Sequence, residues 1–175
     1  MLRVITFLLL ALLSCPTQAA DTDSLQEILN YYQVTENIGT GGQPSAGQLS
    51  EIAKADYSAV INLAMPDSSN ANPEEENIVT SLGMQYIHIP VVWDAPSPDQ
   101  LKEFFRVMDD LGDERVFVHC AANYRASAFV YQYLVLRKGI APDLATSPIL
   151  RKWLPDMDDN WKSIMELKVD DVGGQ

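Results

Sequence analysis

Cysteine and histidine are scarce: the 175 residues hold two of each. Cys15 lies beside an amino-terminal apolar run and Cys120 stands alone in the body of the chain, so no disulfide framework is available to staple a fold. His88 and His119 are well separated, and no Cys/His cluster has metal-ligand spacing, which leaves a zinc site without a basis. Basic residues are few as well. Twelve Lys and Arg stand against 24 Asp and Glu, for a formal charge of −12. Such a surface disfavours nucleic acid and anionic membranes as partners, and it repels anionic substrates at long range. Any affinity for phosphate must come from a local cup of donors. Long hydrophobic runs are missing apart from Val4–Leu13, which is too short to span a bilayer comfortably.

What is present begins with an address. Met1-Leu2-Arg3 is a positive start, the apolar run follows, and Thr17-Gln18-Ala19-Ala20 supplies small residues for cleavage, so residues 1–19 read as a signal peptide. The mature chain, residues 20–175, is then expected in the periplasm of a bacterium or secreted. Leu12-Leu13-Ser14-Cys15 offers the alternative of a lipoprotein signal, with Cys15 as the acylated anchor. Residues 20–175 suffice for one domain with its own core, and they contain no repeat or low-complexity linker.

Apolar periodicity predicts a short helix over 25–32, then a Gly-rich passage from Asn37 to Pro44 and a helix over 46–54 capped by Ser45. A buried strand over 58–63, a helix over 74–82, a strand over 85–92, a helix over 98–111, a strand over 115–119 and a helix over 125–138 follow in alternation. Two further helices are expected near 143–153 and 158–168. This order predicts an α/β domain with a mainly parallel central sheet flanked by helices and with ligands at the carboxyl ends of the strands. The acids Glu74-Glu75-Glu76 and Asp156, Asp158 and Asp159 read as solvated helix starts, where negative charge complements the helix dipole. His88, between Ile87 and Ile89 in a strand pattern, reads as structural.

The run from Arg115 to Ser127 carries the chemistry. It places Cys120 between a buried strand and a helix start, where unpaired backbone N–H groups and the positive end of the dipole favour a thiolate and an anion. Arg125 adds a planar fork of donors suited to an oxyanion. His119-Cys120, Arg125 and Ser127 resemble the signature of the cysteine-dependent protein tyrosine and dual-specificity phosphatase superfamily, which is His-Cys, five residues, Arg, then Ser or Thr. Here four residues, Ala121, Ala122, Asn123 and Tyr124, separate the cysteine from the arginine, and the glycine usual in mid-loop is absent. Either the loop is one residue shorter, or the arginine has moved one place toward the cysteine with Ser127 in register. The shortened loop is similar to that of small bacterial phosphatase-like domains, as is the string Gly42-Gln43-Pro44-Ser45. The resemblance covers about residues 35–155.

The resemblance implies roles. Cys120 would be the nucleophile, residues 121–124 the anion-binding loop, and Arg125 a clamp on the phosphoryl oxygens. His119 would orient the loop and tune the thiolate, and Ser127 would hydrogen-bond the departing thiolate. Tyr124, bulky for its place, would narrow or roof the pocket. Asp94, in the Pro-rich loop that follows the strand over 85–92, occupies the place of the general acid, with Asp99, Asp109 and Asp110 as rivals on the next helix. The implied reaction hydrolyses phosphomonoesters through a cysteinyl-phosphate, without metal or cofactor, on a phosphorylated protein or a small phosphoester. Short loops also resemble rhodaneses, so a sulfurtransferase with a persulfide on Cys120 is the alternative, and an inactive anion- or protein-binding domain is a third. Asp94 weighs for phosphate: an ester leaving group must be protonated as it departs, while sulfane sulfur is passed on without an acid.

Overall fold

The computed structural model describes residues 25–173, so the signal segment over 1–19, with Cys15, lies outside the described residues. Five strands form one sheet: β1 (Tyr32–Gln33), β2 (Ile38–Gly41), β3 (Ala59–Asn62), β4 (Gln85–His88) and β5 (Val116–His119). Their order is β1-β2-β5-β3-β4, with β1 antiparallel to β2 and every other pairing parallel. Among the described residues seven α-helices surround it: α1 (Ala46–Lys54), α2 (Glu75–Ser81), α3 (Pro98–Leu111), α4 (Tyr124–Leu136), α5 (Pro142–Ala145), α6 (Pro148–Trp153) and α7 (Asp159–Met165). None is long and apolar enough to cross a membrane.

Alternation along β5 explains the layers. Val116 and Val118 pack into a core with Phe104 and Phe105 of α3, Phe129 and Tyr133 of α4 and Trp161 of α7. Phe117 points the other way, into a core with Leu49 and Ile52 of α1 and Val79 of α2. A strand buried on both faces reads as a continuous apolar run, and this one lies inside the sheet between β2 and β3. The predicted α/β architecture is the observed one.

Four elements differ from the sequence expectation, the simplest being the strand expected over 85–92, which ends at His88. The Gly-rich passage holds a strand, β2, because its glycines serve close approach: a Cβ at Gly39 would collide with the Tyr57 hydroxyl, and one at Gly41 would lie 2.8 Å from Phe117 and 2.9 Å from Ile28. The helix expected over 25–32 does not continue past Leu25. Residues 26–30 turn, Asn30 takes a left-handed φ of 53°, and the chain enters β1 at Tyr32. The helix expected near 143–153 is divided into α5 and α6, because Ser147 is extended and caps α6, and Pro148 at the first helical position has no N–H with which to continue α5.

Candidate active site

The site grows from the end of β5. Cys120 follows His119 directly, is a free thiol, and is 1% exposed. Its own N–H reaches the Gly41 carbonyl at 3.4 Å, which ties it to the end of β2. The next carbonyl, that of Ala121, accepts from Gln43 N at 3.3 Å and from Asn70 Nδ2 at 2.9 Å. The Ala122 carbonyl accepts from Asn30 Nδ2 at 3.1 Å. Because a trans peptide points its C=O and N–H in opposite directions, pinning the Ala121 oxygen outward turns the Ala122 N–H toward the inside of the loop.

The start of α4 is left open to an anion. Side chains of Ser45, Ser97, Ser147 and Asp158 cap α1, α3, α6 and α7, but Asn123 gives α4 no side-chain cap. First-turn amides without a cap are an anion site in waiting, reinforced by the dipole. Asn123 does something else. It adopts φ 70° and ψ 3°, the left-handed conformation that glycine would take, and asparagine is among the few other residues that tolerate it. Its buried amide donates to the Asn30 carbonyl at 2.6 Å and to Thr40 Oγ1 at 3.1 Å, and accepts from Ser127 Oγ at 3.1 Å. Ser127 in turn accepts from Ser147 Oγ at 2.8 Å. The single proton of Ser127 therefore goes to Asn123, and in this structure the hydroxyl supports the loop through that residue.

This network yields an expected outcome. Asn123→Ala loses the buried hydrogen bonds and meets the left-handed penalty for a Cβ, so unfolding stability falls by about 2–4 kcal/mol. Asn123→Gly loses the same bonds without that penalty and falls about 1 kcal/mol less. Urea denaturation of the two variants side by side reads the difference. Equal losses would show that the backbone conformation carries no cost.

Arg125 is 7% exposed at the first turn of α4. Its Nη1 donates to the Val91 carbonyl at 2.8 Å, its guanidinium carbon lies 6.0 Å from the Trp93 ring, and its buried Nε has no protein partner. The residue thus bridges the cysteine loop to the segment that carries Asp94. That segment is held from both flanks. The Trp93 carbonyl accepts from Trp161 Nε1 and the Asp94 carbonyl from Asn160 Nδ2, each at 2.9 Å, while Trp93 stacks on Trp153 at 5.3 Å and meets Tyr124 edge-on at 6.1 Å. Asp94 is exposed there. Its rivals are engaged elsewhere: Asp109 with Arg137 at 2.9 Å, Asp110 with Arg106 at 3.2 Å, and Asp99 with Lys102 at 3.6 Å.

His119 is fully buried, and its Nε2 lies 2.8 Å from Glu75 Oε1. Glu75 is the correction to the acidic run: Glu74 and Glu76 are exposed, but Glu75 is 1% exposed and projects from the first turn of α2 to the underside of the sheet. Its second oxygen accepts from Asn62 Nδ2 at 2.9 Å, and that amide also donates to the Tyr86 hydroxyl at 3.1 Å. Burial raises the Tyr86 hydroxyl above its ordinary value, against the hydrogen bond from Asn62 and with help from the charge of Glu75. Glu75 shares a helix face with Val79, which is buried, and its own burial comes with the contact from His119 on β5. His88 sits at the sheet edge with Nε2 2.8 Å from the Ala64 carbonyl, so Nε2 is its protonated nitrogen and its role is structural.

A cysteine loop between a central strand and a helix without a side-chain cap, tied by arginine to the loop after β4, is the arrangement of the cysteine-dependent protein tyrosine and dual-specificity phosphatase fold. The chain belongs to that family: residues 18–168 match the model described as DSP-PTPase phosphatase fused to NAD+ kinase. Among solved structures, the DUF442 protein of Shewanella putrefaciens CN-32 is 35% identical, with a TM-score of 0.77 over 83% of this chain and 94% of that one. The core catalytic domain of the PP-IP phosphatase SIW14 of S. cerevisiae shares the fold at 14% identity, with a TM-score of 0.65 over 81% of this chain and 86% of that one. TpbA of P. aeruginosa does so at 16% identity, with a TM-score of 0.64 over 89% and 92%. No curated protein matches the chain.

Proposed function

We propose that the protein is an exported phosphomonoesterase that works through a cysteinyl-phosphate on Cys120. The observation that carries this reading is the Ala121 carbonyl engaged by two donors, Gln43 N and Asn70 Nδ2, which turns the Ala122 amide the opposite way, two residues after the cysteine. Cys120 Sγ attacks phosphorus. Loop amides, the first-turn amides of α4 and the free edge of Arg125 hold the three non-bridging oxygens, and Asp94 gives its proton to the leaving oxygen. Water then attacks phosphorus, Asp94 takes back a proton, and the thiolate is released. The substrate is a phosphorylated protein or a small phosphoester. Because the overall charge repels it at range, binding depends on this cup.

Arg125→Lys keeps the charge but loses the fork, and with it both the Val91 bond and bidentate contact with the oxygens. Binding and turnover of an aryl phosphate both suffer, with kcat/KM falling by the equivalent of about 2–4 kcal/mol. Steady-state kinetics check it, and a variant as active as the unmodified protein would remove Arg125 from the oxyanion clamp. For export, the expected outcome is a mature chain that begins at Ala20 or Asp21 in the periplasm. Amino-terminal mass spectrometry decides this, and a lipid on Cys15 in the membrane fraction would overturn it.

A further inference from the structure

Beside the carboxyl ends of β3 and β4 lies a cavity of about 250 Å³ that the phosphatase mechanism leaves unused. Its floor is fixed. Asn62, the last residue of β3, donates from Nδ2 to Glu75 Oε2 at 2.9 Å and to the Tyr86 hydroxyl at 3.1 Å, and its Oδ1 accepts from Ala64 N at 2.7 Å. Glu76, in the first turn of α2, brings a carboxylate to the wall, and no lysine or arginine lines the space. Among the described residues that carboxylate has no cation beside it. Tyr86 and His88 add aromatic faces, with ring centroids 6.3 Å apart. Because His88 Nε2 donates to the Ala64 carbonyl, its Nδ1 is left as an acceptor. Met65, Pro66 and Pro73 supply apolar wall. A carboxylate, an imidazole acceptor and aromatic faces suit an organic cation, and the apolar wall suits its alkyl stem. An anion is repelled, and a metal ion needs more oxygen ligands than one carboxylate provides.

The wall opposite Glu76 and Tyr86 is the segment over 65–73, and that segment reaches the nucleophile loop. Its backbone hydrogen bonds are local turns, Ser68 N to the Met65 carbonyl and Ala71 N to the Ser68 carbonyl, while Asn70 Nδ2 donates to the Ala121 carbonyl at 2.9 Å. We propose that the cavity is an effector site for a guanidinium on an alkyl stem, an arginine side chain either free or carried by a partner protein, and that its occupation strengthens the grip of the nucleophile loop on an oxyanion. A cation held between Glu76, Tyr86 and the 65–73 wall favours the arrangement in which Asn70 engages Ala121, and the trans peptide then keeps the Ala122 N–H turned the other way. Coupling of this kind is reciprocal, so the oxyanion must tighten the cation by the same factor. The coupling rests on the phosphatase reading above, whereas the cation site itself does not.

The test is calorimetric titration of the mature protein with argininamide, with citrullinamide as its uncharged counterpart, and with inorganic phosphate as the ligand of the cysteine loop. Argininamide binds and citrullinamide does not. Glu76→Gln removes the charge and Ala71→Leu fills the cavity. Each weakens argininamide at least about fivefold and leaves the affinity for phosphate alone within about twofold. In the unmodified chain saturating argininamide tightens phosphate about fivefold, and saturating phosphate tightens argininamide equally. Asn70→Ala still binds argininamide but loses the coupling, since Asn70 carries it without lining the cavity. An acetylated Gly-Arg-Gly amide separates the two sources: tighter binding of the peptide identifies a protein-borne arginine, and tighter binding of argininamide a free one. Argininamide affinity unchanged in both Glu76→Gln and Ala71→Leu would reduce the effect to general attraction by an acidic surface and overturn the site. Displacement of phosphate by argininamide, or no coupling between them, would overturn the effector role. A chain that binds argininamide but neither binds phosphate nor releases phenolate from an aryl phosphate would overturn the phosphatase reading and leave the cation site standing.

Discussion

Cys120→Ser abolishes aryl phosphate hydrolysis, with turnover falling by at least about 10⁴-fold, because a serine hydroxyl in the same place is not ionised near neutral pH and is a far weaker nucleophile. The substitution is nearly isosteric in a site that is 1% exposed, so the thermal midpoint moves little and the loss belongs to chemistry rather than folding. A strong chelator leaves the unmodified protein fully active, since the cup is built from amides and a guanidinium. Turnover of both proteins with and without chelator reads this directly. Activity that a chelator removes and a divalent ion restores would contradict a thiolate mechanism.

Asp94→Asn slows turnover about 10²–10⁴-fold and leaves KM nearly unchanged. The structure explains why the effect should be clean. The loop is fixed through the backbone carbonyls of Trp93 and Asp94 and through the Trp93 ring, and none of those contacts uses the carboxylate. Substrates with poor leaving groups suffer most, because they depend on protonation as they depart. A series of aryl phosphates plotted against leaving-group pKa is flat or shallow for the unmodified protein and steep for the variant. Equal slopes would mean that Asp94 is not the acid, and thiosulfate turnover by Cys120 would then become the reading to measure.

The strand, loop and helix around Cys120 were legible because their signals are local. Val116, Phe117 and Val118 announce a buried strand, the apolar run from Ala126 to Leu136 a buried helix, and a cysteine between them needs no long-range information to stand out. Asp94 stood out as an acid after the strand expected over 85–92, but the structure ends that strand at His88 and holds the loop through contacts from distant residues, Trp161 and Asn160. Contacts distant in sequence were not. Gly39 and Gly41 are turn residues by composition and strand residues only because Tyr57 and Phe117 lie over them. Glu75 belongs by local rules to a solvated helix start, and its burial depends on His119, which reaches the same place from β5. The missing loop glycine shows a third case. Its conformation survives in Asn123, and the partners that make this tolerable, Asn30, Thr40 and Ser127, come from three separate elements.

In the proposed mechanism Cys120 itself carries the phosphoryl group during turnover. Rapid mixing of the mature protein with an aryl phosphate, followed by acid quench, digestion and mass spectrometry, tests it most directly. A phosphoryl adduct is expected on the peptide that contains Cys120, formed on the time scale of phenolate release and absent from Cys120→Ser. Turnover at an undiminished rate with no adduct on that peptide, or with the adduct on another residue, would contradict it.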